Sequence, residues 1–161
     1  MIYYASILEL IGHGNILGID IDIREHNRDE IEKHPMFHCI KMIQGSSIDT
    51  DVANEVKKTA SNCTSILVIL DSNHTHDHVL KELELYSPLV TNGSYLVVFD
   101  TAVEYMDDDS FPDRPWGRGD NPLTAVNEFL KTNSRFEIDR GIESKLLITV
   151  APSGYLKCTS D

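Results

Sequence analysis

The chain has 161 residues, 41% of them hydrophobic and 25% charged, which fits one globular domain with a sizeable core. Its formal net charge of −12 lacks the basic surface that sequence-independent nucleic-acid binding requires, and it disfavours anionic membranes. Cys39, Cys63 and Cys158 are odd in number and form no CxxC pattern, so neither a disulfide framework nor structural zinc is expected, and a cytoplasmic setting is.

Residues 2–11 read as a mostly apolar helix stopped by Gly12 and Gly14. The segment lacks a basic start and contains Glu9, so it does not read as a signal peptide, and no apolar stretch in the chain approaches the ~20 residues of a membrane span. Residues 16–22 form a strand ending in Asp20 and Asp22, and 25–33 a polar helix that Pro35 ends. A second strand spans 39–43, followed by the tight turn Gln44-Gly45-Ser46-Ser47-Ile48-Asp49. Ser46-x-x-Asp49 has capping-box spacing for the next helix, whose inner face is Val52, Ala53, Val56 and Ala60. The apolar, β-branched run 66–70 shows no polar alternation, which predicts a central parallel strand buried on both faces. It ends in Asp71.

Residues 75–87 follow as a helix with Val79, Leu80, Leu83 and Tyr86 at helical spacing. A fourth strand over 95–99 again ends in an acid, Asp100. The stretch 102–122 carries Asp107-Asp108-Asp109, Pro112, Pro115, Gly117, Gly119 and the sole tryptophan, Trp116; a loop of that length is expected to be a lid or disordered. A helix at 123–131, a short strand at 136–139 and a last apolar strand at 145–151 complete the chain. The alternation predicts an α/β, doubly wound, mostly parallel sheet in a single domain over 1–161. Strand after strand then presents acids at the carboxyl edge, where open α/β sheets bind ligands.

Several stretches together resemble the cephalosporin hydroxylase / rhamnosyl O-methyltransferase family. They are Gly18-Ile19-Asp20-Ile21-Asp22, Gln44-Gly45-Ser46-Ser47, Leu70-Asp71-Ser72-Asn73-His74, Tyr95-Leu96-Val97-Val98-Phe99-Asp100 and the closing 145–156 segment. The resemblance covers nearly the whole chain and implies a Rossmann-like class I methyltransferase fold. It further implies S-adenosylmethionine and Mg²⁺ as cofactors, with O-methyl transfer to a hydroxyl of a sugar or other small natural product. The first strand and its Gly-rich cofactor turn have no counterpart here, because Gly12 and Gly14 close a helix rather than follow a strand. The expectation is therefore an N-terminally incomplete domain, with exposed strand edges favouring homo-oligomers. An inactive fragment or binding module is the alternative. A nicotinamide-dependent protein is disfavoured, since strand-end aspartates do nothing for hydride transfer.

The resemblance assigns cofactor contacts to Asp20, Asp22, Ser46, Ser47 and Asp71. Asp20 closes its strand where ribose hydroxyls are held, and a surface acid or helix cap is the plain alternative. Ser46 and Ser47 would meet the adenine end, and capping explains them equally well. Asp71 and Asp100 would share the metal, although Phe99 stands where related sites carry another acid; Glu104 or Asp107–Asp109 would then complete the shell. His74 is the candidate general base, three residues past Asp71 and of near-neutral ordinary pKa; a polar side chain in the first turn of a helix is the alternative. His74, His76 and His78 do not match the zincin pattern, because Thr75 replaces the glutamate that should follow the first histidine.

Overall fold

Helix α1 (Ile2–Ile11) ends at Gly12, whose φ of 88° lets its N–H bond back to the carbonyls of Leu8 and Glu9. A left-handed residue at this position is a common helix stop, and glycine adopts it without strain. The computed structural model describes residues 1–160 and falls into two compact units, Met1–Val56 and Lys57–Asp161. In the first unit β1 (Ile16–Asp20) leads through α2 (Glu25–Glu32) and a 3₁₀ turn (Pro35–Cys39) to β2 (Ile40–Gln44). The two strands pair in parallel, from Ile16 opposite Ile40 to Asp20 opposite Gln44. Ala5 of α1 packs with Cys39 and Ile40 in a small core flanked by Ile2, Ile16, Ile31 and Met42. β1 stops two residues earlier than expected, because Asp20 Oδ1 accepts the Asp22 amide at 2.9 Å and turns the chain. Helix α3 (Thr50–Ala60) begins in this unit.

In the second unit β3 (Val68–Leu70) crosses through α4 (His76–Tyr86) to β4 (Tyr95–Val98), which it pairs in parallel. A 3₁₀ turn (Thr101–Tyr105), a long loop and α5 (Pro122–Thr132) then lead to β5 (Phe136–Ile138), α6 (Arg140–Leu146) and β6 (Tyr155–Cys158). β6 runs antiparallel to both β4 and β5, giving the order β3-β4-β6-β5. Leu83, Leu96 and Leu156 are fully buried, and α4 packs on α5, each burying apolar side chains: Val79 and Leu83 on α4, Val126 and Phe129 on α5. No helix among the described residues is long and apolar enough to cross a membrane.

Two further expectations change. The apolar run at 66–70 forms a three-residue strand at the end of its sheet, paired among the described residues with β4 alone, and Leu67 is exposed. Hydrophobicity reports that a segment buries surface somewhere; it does not report strands on both sides. The strand expected at 145–151 is instead the end of α6 and an irregular connection. Asp139 starts this helix by accepting the amides of Gly141 and Ile142, and the closing strand begins only at Tyr155. Gly154 makes that entry fit, since a Cβ there would lie 2.1 Å from the Val98 carbonyl oxygen.

Candidate active site at the strand ends

β3 and β4 deliver their following residues to one edge. Phe99 N–H donates to the Leu70 carbonyl at 3.0 Å, which carries the parallel ladder one step beyond β4 and brings Asp71 and Asp100 to the same end. Asp100 has φ 55° and ψ 21°, a left-handed conformation that aspartate tolerates better than most residues. The following turn fixes it there: Thr101 Oγ1 donates to Pro152 O at 2.7 Å, and Ala102 N–H donates to Val150 O at 3.1 Å. Uncommon backbone conformations of this kind concentrate at functional sites.

His74 Nε2 lies 2.7 Å from Asp100 Oδ2. Asp71 is in hydrogen-bond contact with Asp100, and its pKa is raised above the usual carboxylate value. Partial burial of its carboxyl is the main cause, followed by the charge of Asp100 and the bond to it, while His74 acts in the opposite direction. The residue's surface as a whole is open to solvent, so the shielding belongs to the carboxyl end. One ligand atom from each of Asp71, His74 and Asp100 lies within 4.8 Å of the others. Two carboxylates in contact repel once both ionise, and a divalent cation between them removes that repulsion. Two acid oxygens plus water suit Mg²⁺, so the donor set fits the ion. The acids considered as further ligands are not part of this cluster: Glu104 accepts from Gly119 N–H at 2.9 Å and from Asn121 Nδ2.

The long loop carries an aromatic wall to His74. Trp116 meets the imidazole with ring centroids 4.9 Å apart, and Phe111 packs on Trp116 at 4.6 Å. Gly117 and Asp120 exchange backbone hydrogen bonds, Asp120 Oδ1 accepts from His76 N–H at 2.6 Å, and Asn121 Nδ2 donates to Gly117 O at 2.8 Å. Asn121 also caps α5, accepting from the amides of Leu123 and Thr124.

The three histidines diverge. His76 Nδ1 bonds Thr124 Oγ1 at 2.8 Å, while His78 Nε2 lies 3.4 Å from Ser72 Oγ and 3.7 Å from Glu82 Oε1. Glu82 is a residue that the sequence reading passed over. It occupies the inward face of α4 with Val79, Leu83 and Tyr86, and its spacing to them (82 beside 79, 83 and 86) was the available signal.

Asp20, Asp22, Ser46 and Ser47 belong to the first unit, whereas Asp71, His74 and Asp100 belong to the second. Gly45 N–H donates to Asp20 O at 2.9 Å, tying the ends of β1 and β2 together. A side chain at Gly45 would collide with Val52, whose Cγ2 lies 2.8 Å from the Cβ position. Ser47 is buried and Ser46 half-buried. The cap of α3 is supplied by Asp49, whose Oδ1 accepts from Asp51 N at 2.8 Å and Val52 N at 3.3 Å.

Comparison with known proteins places these features in a family. The chain is 29% identical over 163 residues to "Rhamnosyl O-methyltransferase" of Mycobacterium tuberculosis (strain H37Rv), covering 96% of this chain and 60% of that protein. The protein of the same name from Mycobacterium leprae is 28% identical over 158 residues, covering 96% of this chain and 64% of its own length. The chain thus spans about three fifths of the curated relatives it matches. Among solved structures it resembles the MycE methyltransferase from the mycinamycin biosynthetic pathway in complex with Mg, SAH and mycinamycin VI. That likeness has a TM-score of 0.53 at 19% identity, over 91% of this chain and 37% of the other, and it supports the class I methyltransferase fold. The model of the family described as rhamnosyl O-methyltransferase/CmcI matches residues 1–159, and the chain belongs to that family.

Proposed function

We propose that this chain is the catalytic part of an S-adenosylmethionine-dependent O-methyltransferase acting on a hydroxyl of a sugar or sugar-bearing natural product. The observation that carries the reading is the Asp71–His74–Asp100 cluster at the ends of adjacent parallel strands. The names of the relatives favour a glycosyl acceptor, and the solved relative holds Mg and SAH. When bound, S-adenosylmethionine supplies an electrophilic methyl group and Mg²⁺ supplies Lewis acidity toward the acceptor hydroxyl.

The residues of the chain do the rest. Asp71 and Asp100 are the carboxylates that would hold the cation. With its Nε2–H donated to Asp100, His74 has Nδ1 as the ring atom that takes the hydroxyl proton. Asp100 then stabilises the imidazolium that forms, as an orienting carboxylate does in other acid–base pairs. With the proton on His74 Nδ1, the acceptor oxygen would be free to take the methyl group that bound S-adenosylmethionine would supply, with S-adenosylhomocysteine as the other product. Trp116 packs against the imidazole in a tilted contact, with the ring planes 58° apart. Asp20, with Oδ1 already engaged by Asp22 N–H, offers Oδ2 to ribose hydroxyls; Asp22 is the weaker candidate, and Ser46 and Ser47 serve the adenine end.

Calorimetric titration of S-adenosylhomocysteine, with and without Mg²⁺, tests the reading. Binding is expected, and the Mg²⁺ effect on it should disappear in Asp71→Asn. In a turnover assay His74→Ala should lose about a hundredfold or more in rate while still binding S-adenosylhomocysteine. Absence of binding in every condition sinks the proposal, and binding without turnover on any glycosyl acceptor reduces the chain to a binding module.

A further inference from the structure

We infer that Glu82 is a positioning residue for the turn bearing Asp71: it grips Ser72 from inside the unit and so sets the direction in which Asp71 leaves β3. The inference rests on the proposed reading of Asp71 and Asp100 as cation ligands.

Glu82 is 2% exposed, on the face of α4 that otherwise buries Val79, Leu83 and Tyr86. Its Oε1 accepts from Ser72 Oγ at 2.6 Å, whereas its buried Oε2 has no hydrogen-bond partner. A carboxyl group held this way is costly, because a buried acceptor without a donor forfeits the hydration it had in the unfolded chain. An apolar side chain of similar volume at such a place is commonly neutral or stabilising. What Glu82 provides in return is local: a short bond to the residue immediately after Asp71, with His78 Nε2 3.7 Å from the same carboxylate oxygen. Other bonds hold the flanks of the same turn. Asn73 Oδ1 accepts from Thr75 N and Thr75 Oγ1, both at 2.9 Å, and Asp120 Oδ1 accepts from His76 N. The Ser72–Glu82 bond ties the middle of the turn to α4. A cation shared by two carboxylates demands that their directions be held to about half an ångström, and the 2.6 Å bond from Ser72 to Glu82 is shorter than the 3.4 Å approach of the same hydroxyl to His78 Nε2.

The test uses the full chain and the variants Glu82→Leu, Glu82→Gln and Ser72→Ala, with Mn²⁺ as the probe ion and calorimetry as the readout. Glu82→Leu is expected to keep or raise the thermal midpoint while weakening Mn²⁺ binding about ten- to hundredfold, the range seen when residues orienting metal ligands are removed. Ser72→Ala should weaken binding similarly at unchanged midpoint, and Glu82→Gln, whose amide oxygen can still accept from Ser72, should stay near wild type. Wild-type affinity in both Glu82→Leu and Ser72→Ala overturns the inference. So does a Glu82→Leu chain that melts earlier yet binds Mn²⁺ normally, since that role is structural alone. Failure of the underlying reading looks different: the wild-type chain itself would not bind Mn²⁺. Amide exchange across residues 71–75 then decides, faster exchange in both variants supporting the grip and unchanged exchange overturning it.

Discussion

Asp71 holds a proton more tightly in the folded chain than an unfolded aspartate does, because its carboxyl is partly shielded and faces Asp100. Between the unperturbed value of 3.8 and the raised folded value, the native state binds more protons than the unfolded state, so this group's contribution to stability falls as pH rises. Asp71→Asn abolishes that titration. Urea denaturation across pH should therefore show the variant gaining on the wild type as pH climbs above 3.8, then a constant gap once Asp71 is ionised in both states. A difference that does not change with pH would contradict the shielding of Asp71 and its contact with Asp100. At this scale much of the site was legible in the sequence, since an acid that ends an apolar run is placed by strand geometry before any fold is known. Glu82 was not legible in the same way. A glutamate on a helix reads by default as solvated, and its spacing beside Val79, Leu83 and Tyr86 is the one hint in the sequence that position 82 faces inward.

The connections between elements hold the second kind of information that the sequence hides. Leu147 has φ 64° and ψ −44°, and Ile148 N–H bonds Leu146 O at 2.8 Å across it, which is the strained form of a three-residue turn. The side chain is 86% exposed and contributes little packing. Leu147→Gly should therefore stabilise the chain by about 1 kcal/mol, relief of backbone strain exceeding the added flexibility of the unfolded state. A lower thermal midpoint in that variant would show that Leu147 is held by contacts. The apolar run there suggested a strand because hydrophobicity was taken as a sign of burial. Asp139, a helix-capping residue just upstream, was the better guide. Asn121 illustrates the opposite case, where one buried side chain organises both a helix start and the loop before it. Asn121→Ala removes a cap and leaves Glu104 short of a donor, which should cost roughly 2 kcal/mol. Because Trp116 is the only tryptophan, loosening of the loop should also appear as a red shift in indole fluorescence. Unchanged emission would mean that the Trp116–His74 contact does not depend on Asn121.

The two units differ in how much apolar surface each one hides. Met1–Val56 buries only Ala5, Cys39, Ile40, Ile43, Val52, Ala53 and Val56 among its hydrophobic side chains, and its α1 exposes Tyr3, Leu10 and Ile11. Its two strands pair with each other and, among the described residues, with nothing else. The second unit buries Leu83, Leu96, Leu156, Val79, Val98, Val126 and Phe129 in a four-stranded sheet with helices. Family membership was legible in short motifs drawn from both units, yet this imbalance was not, because the apolar positions of β1 and β2 do not show in sequence how many neighbours cover them. Burial, rather than hydrophobicity, sets the free energy of local opening. Backbone amides of β1 and β2 should accordingly exchange through openings cheaper than global unfolding, while those of β4 and β6 exchange only with it. Native-state hydrogen exchange in low urea separates the two: the first unit's amides should show weak denaturant dependence and the second unit's a steep one. Equal slopes and equal protection in both would mean that the 161-residue chain unfolds as one cooperative body, and that the first unit draws stability from contacts beyond its own core.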